Sequence, residues 1–176
     1  MKSIKNIIIA SSILILSAFT ISSSLNWTIS EGYEIKFSSS TGDPEGIFKT
    51  INGDIQFNEN DLATSKCDFK VDVNSINTGN GMQNKHAISA KWFDAEKYPN
   101  IEFKSSKFSK TETGYSVTGT IKMHGVDKEM TLPFTFSNNV FKSTFSVNRI
   151  DFNIGESMEK VSDDIKLEVS LPVTKK

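Results

Sequence analysis

The residues that could catalyse a reaction or hold a metal are few in this chain of 176 residues. It contains one cysteine, Cys67, and two histidines, His86 and His124. The two histidines fall in different segments, with no third ligand at a metal-binding spacing. Cys67 alternates with the charged residues Lys66 and Asp68, so its side chain is expected on the apolar side of a strand, where a thiolate is disfavoured. We therefore expect neither a metal site nor a cysteine nucleophile.

Hydrolytic catalysis is not indicated either. Serine, histidine and aspartate all occur, but no nucleophile elbow or oxyanion-type glycine loop places them together. The neighbouring carboxylates of Asp163 and Asp164 point apart on an extended chain. We expect a protein without enzyme activity, catalytic residues or cofactor.

The composition points to one globular domain with an unusual aromatic content. The formal net charge is -1 and no basic block is present, which argues against a nucleic-acid partner because backbone phosphates require clustered cations. Phenylalanine occurs 13 times, against 3 tyrosines and 2 tryptophans. The aromatic surface is therefore mostly without polar groups.

The first 24 residues are typical of a secretory signal peptide. Lys2 and Lys5 precede an apolar stretch from Ile7 to Ile21, which closes on serines 22–24. The alternative, a signal anchor, is less favoured because this stretch is shorter than the roughly 20 residues of a membrane-spanning helix. We expect residues 1–24 to be removed, and residues 25–176 to form a periplasmic or secreted domain.

From residue 27 onward, apolar residues recur at every second position, the pattern of half-buried antiparallel strands. Short polar segments separate the runs. The predicted strands are eight, and Gly53 in the second is interpreted as a bulge or bend. Their apolar rows are Tyr33, Ile35 and Phe37; Ile47, Ile51, Ile55 and Phe57; Cys67, Phe69, Val71 and Val73; Ile101 and Phe103; Tyr115, Val117, Ile121 and Met123; Met130, Leu132, Phe134 and Phe136; Phe141, Phe145 and Val147; and Ile165, Leu167, Val169 and Leu171.

Most of the predicted connections are short, so successive strands should pair as hairpins. The exception is Asn80 to Tyr98, between the third and fourth strands, where near-helical spacing predicts a helix that ends before Pro99. The predicted fold is all-β, an eight-stranded antiparallel up-and-down, lipocalin-like barrel with one short helical insertion between the third and fourth strands. A two-sheet sandwich is the alternative.

A barrel of eight strands is either filled by its own side chains or holds one small ligand, and the residues alone leave both open. The apolar candidates for a ligand-binding interior are Phe37, Phe48, Phe57, Phe69, Val71, Trp92, Phe93, Phe103, Ile121, Met123, Phe134, Phe136, Phe141 and Phe145.

Two polar residues are candidates for contact with a ligand headgroup. Arg149 is the only arginine of the chain and a planar, bidentate donor. Its alternative role is a structural ion pair with Asp151, Asp163 or Asp164. His86 lies on the predicted helix, and its alternative role is a local hydrogen bond.

Several motifs, in a fixed order, resemble one known family. They are GIF at 46–48, NGDIQF at 52–57, SINTG at 75–79, His86, WFDAEKYPNIEF at 92–103, GTIKMHGVDK at 119–128, RIDFNIG at 149–155 and VSDDI at 161–165. Each motif alone is weak, but together they resemble the YceI-like polyisoprenoid-binding family over the whole of residues 25–176.

The resemblance implies an exported, lipocalin-like barrel that encloses a long isoprenoid chain, such as a quinone tail or a polyprenyl phosphate, without enzyme activity. The alternatives are a structural or interaction module with a filled barrel and, less favoured, a small outer-membrane barrel. A homodimer stays open as an alternative, although no apolar stripe outside the strands indicates one.

Overall fold

The computed structural model describes residues 25–39, 44–157 and 161–176. The predicted signal peptide, residues 1–24, lies outside the described residues. No helix in the described ranges combines the length and the apolar character needed to cross a membrane.

Eleven strand segments and one α-helix make up the described chain. The strands are β1 (Asn26–Ile29), β2 (Glu34–Ser39), β3 (Glu45–Phe48), β4 (Ile51–Gln56), β5 (Lys66–Asp72), β6 (Ile76–Asn77), β7 (Asn100–Thr111), β8 (Gly114–Met123), β9 (Val126–Ser137), β10 (Val140–Asn148) and β11 (Asp164–Lys175). The helix α1 spans Gly81–Ala87, and short 3-10 turns lie at Leu62–Thr64, Val73–Ser75 and Ile150–Phe152.

These segments form a closed antiparallel barrel of eight strand positions, which confirms the predicted fold and excludes the sandwich. β1 and β2 both pair with β11 and so share one position. β3 and β4 form a second composite strand, because β3 pairs with β2 and β4 pairs with β1. β5 and β6 form a third, because β5 pairs with β4 and β6 pairs with β3. β7 to β11 supply the other five positions, and the pairing of β1 with both β4 and β11 closes the barrel.

The interruption between β3 and β4 exchanges the inward and outward faces. Phe48 on β3 is buried and so is Ile51 on β4, although the two residues are an odd number of positions apart. The expectation that Ile47 shares the inward face with Ile51 is therefore wrong. The chain leaves the ladder at Lys49 and Thr50, and the alternation of side chains restarts after this break.

Gly53 does not form a bulge, contrary to the prediction. The β4–β5 ladder runs from Ile51 to Gln56 without a register shift, and the irregularity of the sheet lies instead at Ser105/Lys107 in β7. Gly53 is needed for space, because a Cβ there would lie 2.3 Å from the carbonyl oxygen of Asp68. Its register partner, Phe69, lies across this position.

The helical insertion lies between the third and fourth strand positions, as predicted, but it is shorter than expected. The side chain of Asn80 caps α1 by accepting hydrogen bonds from the backbone N–H groups of Met82 and Gln83. After Ala87 the chain continues in turns. Met82, an apolar residue of α1, is 82% exposed, so the near-helical spacing in this segment does not mark a buried helix face.

One end of the barrel is filled by an aromatic plug, which consists of Phe57, Phe108, Tyr115, Phe134, Phe136 and Phe141. Phe57 lies at its centre, 1% exposed, with its ring 5.2 to 6.0 Å from each of the other five rings. The plug lies at the end that carries the β7–β8 and β9–β10 hairpins. Packing at this end of the barrel is therefore dense.

Candidate functional site

An apolar cavity of about 270 Å³ lies inside the barrel beyond the aromatic plug. Its walls come from nearly every strand position, because each strand contributes one inward-facing row. Among the described residues, the side chains around it are apolar except for Lys142, Ser143 and Arg149. Such a surface offers dispersion contacts and exclusion of water, and almost no hydrogen bonds.

The inward rows do not fill this space. Phe145 and Val147 on β10 and Leu167 and Val169 on β11 all line the cavity, yet each is only half-buried. In a barrel packed at the density of a protein core, inward side chains of this size would be buried by their neighbours. The geometry therefore favours the ligand-holding interpretation of the interior over the filled one.

The structure brings together eleven of the fourteen apolar candidates. Those that line the cavity are Phe37, Phe48, Phe69, Val71, Phe93, Phe103, Ile121, Met123, Phe134, Phe141 and Phe145. Phe57 and Phe136 belong to the aromatic plug and do not line the cavity. Trp92 is not part of the lining either.

Other lining residues were not among the candidates. They include Ile35, Ile51, Ile101, Val117, Leu132, Val147, Ile165, Leu167, Val169 and Leu171. The signal for them was present, because all lie in the alternating apolar rows, but the candidates were weighted towards phenylalanine. Most of the aliphatic lining was therefore missed, apart from Val71, Ile121 and Met123.

Arg149 is a structural clamp within the connection between β10 and β11. The residue is 4% exposed. Its Nε donates to the carbonyl oxygen of Ser162, and its Nη1 to that of Ile154 at 2.8 Å. Its Nη2 donates to the carbonyl oxygen of Glu156 at 2.9 Å and to Oδ1 of Asp163 at 2.7 Å. Of the alternatives left open by the sequence, this geometry favours the structural pair, and the partner is Asp163.

The other two acidic candidates have different partners. Asp151 forms an ion pair with Lys128, with Nζ and Oδ2 2.8 Å apart. Asp164 accepts a hydrogen bond from the side-chain amide of Asn148 at 3.0 Å. Among the described residues, the guanidinium group of Arg149 donates to one carboxylate, that of Asp163, and to several carbonyl groups.

His86 and Trp92 lie against each other outside the cavity lining. Their ring centroids are 5.7 Å apart, and the guanidinium carbon of Arg149 lies 5.4 Å from the Trp92 ring. Trp92 Nε1 is buried, and no hydrogen-bond partner for it exists among the described residues. His86 is exposed on α1, so its position favours a local packing role over contact with a ligand in the cavity.

Cys67 lines the cavity as a free, buried thiol. Burial raises the pKa of its thiol from 9.0 to about 12, because the thiolate would lose its hydration. Its backbone N–H donates to Ser105 Oγ at 2.8 Å. The side chain is protonated at neutral pH and acts as a small apolar group in the wall.

Within the described ranges, no group of three histidine, cysteine, aspartate or glutamate side chains could hold a metal ion. His124 is part of the packing instead. Its Nδ1 lies 3.0 Å from the carbonyl oxygen of Phe152, and its ring centroid is 5.0 Å from that of Tyr98. What the site can do chemically is to hold an apolar molecule away from water.

The chain is similar to several known proteins. A UPF0312 protein of Yersinia enterocolitica is 26% identical over 136 residues, which are 72% of this chain and 71% of that protein. The crystal structure of BcnA from Burkholderia cenocepacia matches with a TM-score of 0.77 and 25% identity, covering 84% of this chain and 99% of that one.

A polyisoprenoid-binding domain from Saccharophagus degradans, implicated in plant cell wall breakdown, shares the fold. Its TM-score is 0.55 at 13% identity, and the match covers 87% of this chain and 98% of that chain. The family model described as the YceI-like domain matches residues 22–173. Since this match extends over almost the whole of the barrel, the chain belongs to the YceI-like domain family.

Proposed function

We propose that this protein is an exported, non-catalytic carrier or binding protein for a long apolar isoprenoid lipid, such as a quinone tail or a polyprenyl phosphate, held inside the barrel. The observation that carries the proposal is the cavity itself, in which inward apolar rows remain half-exposed. A barrel filled by its own side chains, the alternative, would leave no such rows.

The energetics of the lining suit this class of ligand. Each methylene moved from water into an apolar environment contributes about 0.8 kcal/mol, so several isoprene units together exceed the roughly 4–15 kcal/mol that association costs. A polar metabolite would instead lose its hydrogen bonds to water, since the lining provides almost none in return.

Two further observations support the ligand class and the cellular location in this proposal. The fold is shared with the polyisoprenoid-binding domain from Saccharophagus degradans, which directs the choice among apolar molecules towards isoprenoids. The charged and apolar pattern of residues 1–24 supports export, with the barrel domain acting in the periplasm or outside the cell.

The test is to purify the protein natively and to identify the lipids in an organic extract by mass spectrometry. We expect an isoprenoid to co-purify. The matched pair of variants is Leu167→Trp, whose indole would occupy the cavity, and Lys166→Trp, which adds the same group on the outer face of β11. The first variant should lose the lipid and the second should retain it. If the unchanged protein contains no isoprenoid and retains none that is added, the proposal is wrong.

A further inference from the structure

The wall of the barrel is incompletely paired between β9 and β10. These two strands share three register pairs, Ser137 with Val140, Phe136 with Phe141 and Thr135 with Lys142. The ladders on either side, β8–β9 and β10–β11, each contain nine register pairs. We call the unpaired part, residues 126–134 of β9 and 143–148 of β10, the β9–β10 seam.

Pro133 explains where the ladder stops. In an antiparallel pair, the N–H and C=O groups of one residue are directed to the same neighbouring strand. The Pro133 carbonyl oxygen accepts a hydrogen bond from Ser143 Oγ at 2.5 Å, so the nitrogen of Pro133 also faces β10. Proline has no N–H to donate, and the hydroxyl of Ser143 takes the place of a backbone donor. The interruption is therefore encoded in the sequence.

Beyond this point no register pair joins the described residues of β9 and β10, and side chains make contacts across the seam. The 3-10 turn Ile150–Phe152 packs against the first residues of β9, where Lys128 pairs with Asp151 and its Nζ lies 5.7 Å from the centre of the Phe152 ring. The side chains of Lys128 and Asp151 are partly exposed, which limits the strength of this pair. Separation of the seam thus breaks side-chain contacts but no register pairs of a ladder.

The cavity lies directly behind the seam. Leu132 and Phe134 on one side, and Ser143 and Phe145 on the other, all line the cavity. Lys142 also lines it, although this exposed residue alternates with the inward row of β10. The lining of the cavity therefore reaches the place where the β9–β10 ladder ends.

A second interruption, between the composite strands β1/β2 and β3/β4, lacks these properties. The hydroxyl of Tyr33 bridges it by donating to the Lys49 carbonyl oxygen at 2.7 Å. Residues 30–33 of the turn do not line the cavity. A separate surface hollow lies at this gap, and its lining includes Glu31, Tyr33 and Lys49.

We propose that the β9–β10 seam is the mouth of the cavity, through which the apolar chain of the ligand passes in and out. This inference rests on the proposed function. Regions held by few side-chain contacts open at a small fraction of the cost of global unfolding, whereas the nine-pair ladders on either side of the seam do not. The ligand can exchange while the rest of the barrel stays closed.

The experiment links the seam reversibly. In a Cys67→Ala background, the exposed residues Thr131 and Ser146, on opposite sides of the seam, are replaced by cysteine and joined by a short bifunctional methanethiosulfonate reagent. The matched control joins Ser146→Cys to Lys166→Cys, since these are register partners in the intact β10–β11 ladder. The rate of loading with the fluorescent probe N-phenylnaphthylamine is measured by stopped flow, before and after the linker is removed with reductant.

We expect the link across the seam to slow loading by about tenfold or more, as a locked lid would, with recovery after reduction. The link across the β10–β11 ladder should leave the rate unchanged. Equal loading rates for the linked and reduced seam variant would overturn the proposal that the seam is the mouth of the cavity, and would leave the proposed function intact. Failure of the unlinked protein to bind the probe would overturn both.

Discussion

At the scale of single residues, Arg149 stabilises the connection between β10 and β11. The sequence alone left its contact with a ligand headgroup open. Its guanidinium group gathers the carbonyl groups of residues 154, 156, 161 and 162 and the carboxylate of Asp163 around one buried charge. The described parts of the connection between β10 and β11, residues 149–157 and 161–163, are thereby held together. Because the donors are engaged within this loop, few are left for a ligand headgroup.

We predict that Arg149→Gln lowers the free energy of unfolding by roughly 2–4 kcal/mol, since several buried carbonyl groups lose their donor. Denaturant titration measures this loss. Affinity for a phosphorylated isoprenoid and for a plain hydrocarbon of the same length should fall by the same factor. A selective loss of the phosphorylated ligand at unchanged stability would instead assign Arg149 to the headgroup.

At the scale of the elements, close approach between neighbouring strands shapes the cavity wall. Phe69 on β5 lies across Gly53 on β4, and the absence of a side chain at Gly53 lets the ring settle against the backbone. The same ring lines the cavity. Local backbone space on one strand thus determines where a lining residue of the next strand is placed.

Gly53→Ala is expected to destabilise the barrel by about 1–3 kcal/mol, because the added methyl group overlaps Asp68 O and the Phe69 ring. Gly81→Ala is the matched control, since a Cβ at the first residue of α1 meets nothing within 4 Å. Its free energy of unfolding should stay within about 0.5 kcal/mol of the parent. Equal effects of the two substitutions in denaturant titrations would contradict the steric explanation.

At the scale of the whole molecule, phenylalanine serves two different purposes. In the aromatic plug, edge-to-face contacts around Phe57 fill one end of the barrel. Around the cavity, rings such as Phe145 face open space on one side. Stability should therefore be concentrated at the plug, and binding capacity at the other part of the interior.

Truncation of one ring from each region tests this division. Phe57→Ala should cost about 3–5 kcal/mol of unfolding free energy, as for a fully packed aromatic residue. Phe145→Ala should cost only about 1–2 kcal/mol, because its ring already lacks neighbours on the cavity side, but it should change the retention of lipid. Thermal unfolding and lipid extraction of both variants provide the comparison. Similar losses of stability in the two would argue against a separate plug.

Local periodicity in the sequence was sufficient to predict the eight barrel positions and most of the inward rows, since side chains alternate across any strand whatever its partners. The short segments β1 and β6 were not among the predicted rows. It failed for Ile47, because the chain leaves the ladder at Lys49 and Thr50 and the alternation restarts with Ile51 facing inward like Phe48. Only the tertiary structure decided that Phe57 and Phe136 fill a plug while Phe145 faces a cavity, and that the donors of Arg149 are engaged. These outcomes depend on which distant segments meet, and no local pattern along the chain contains that information.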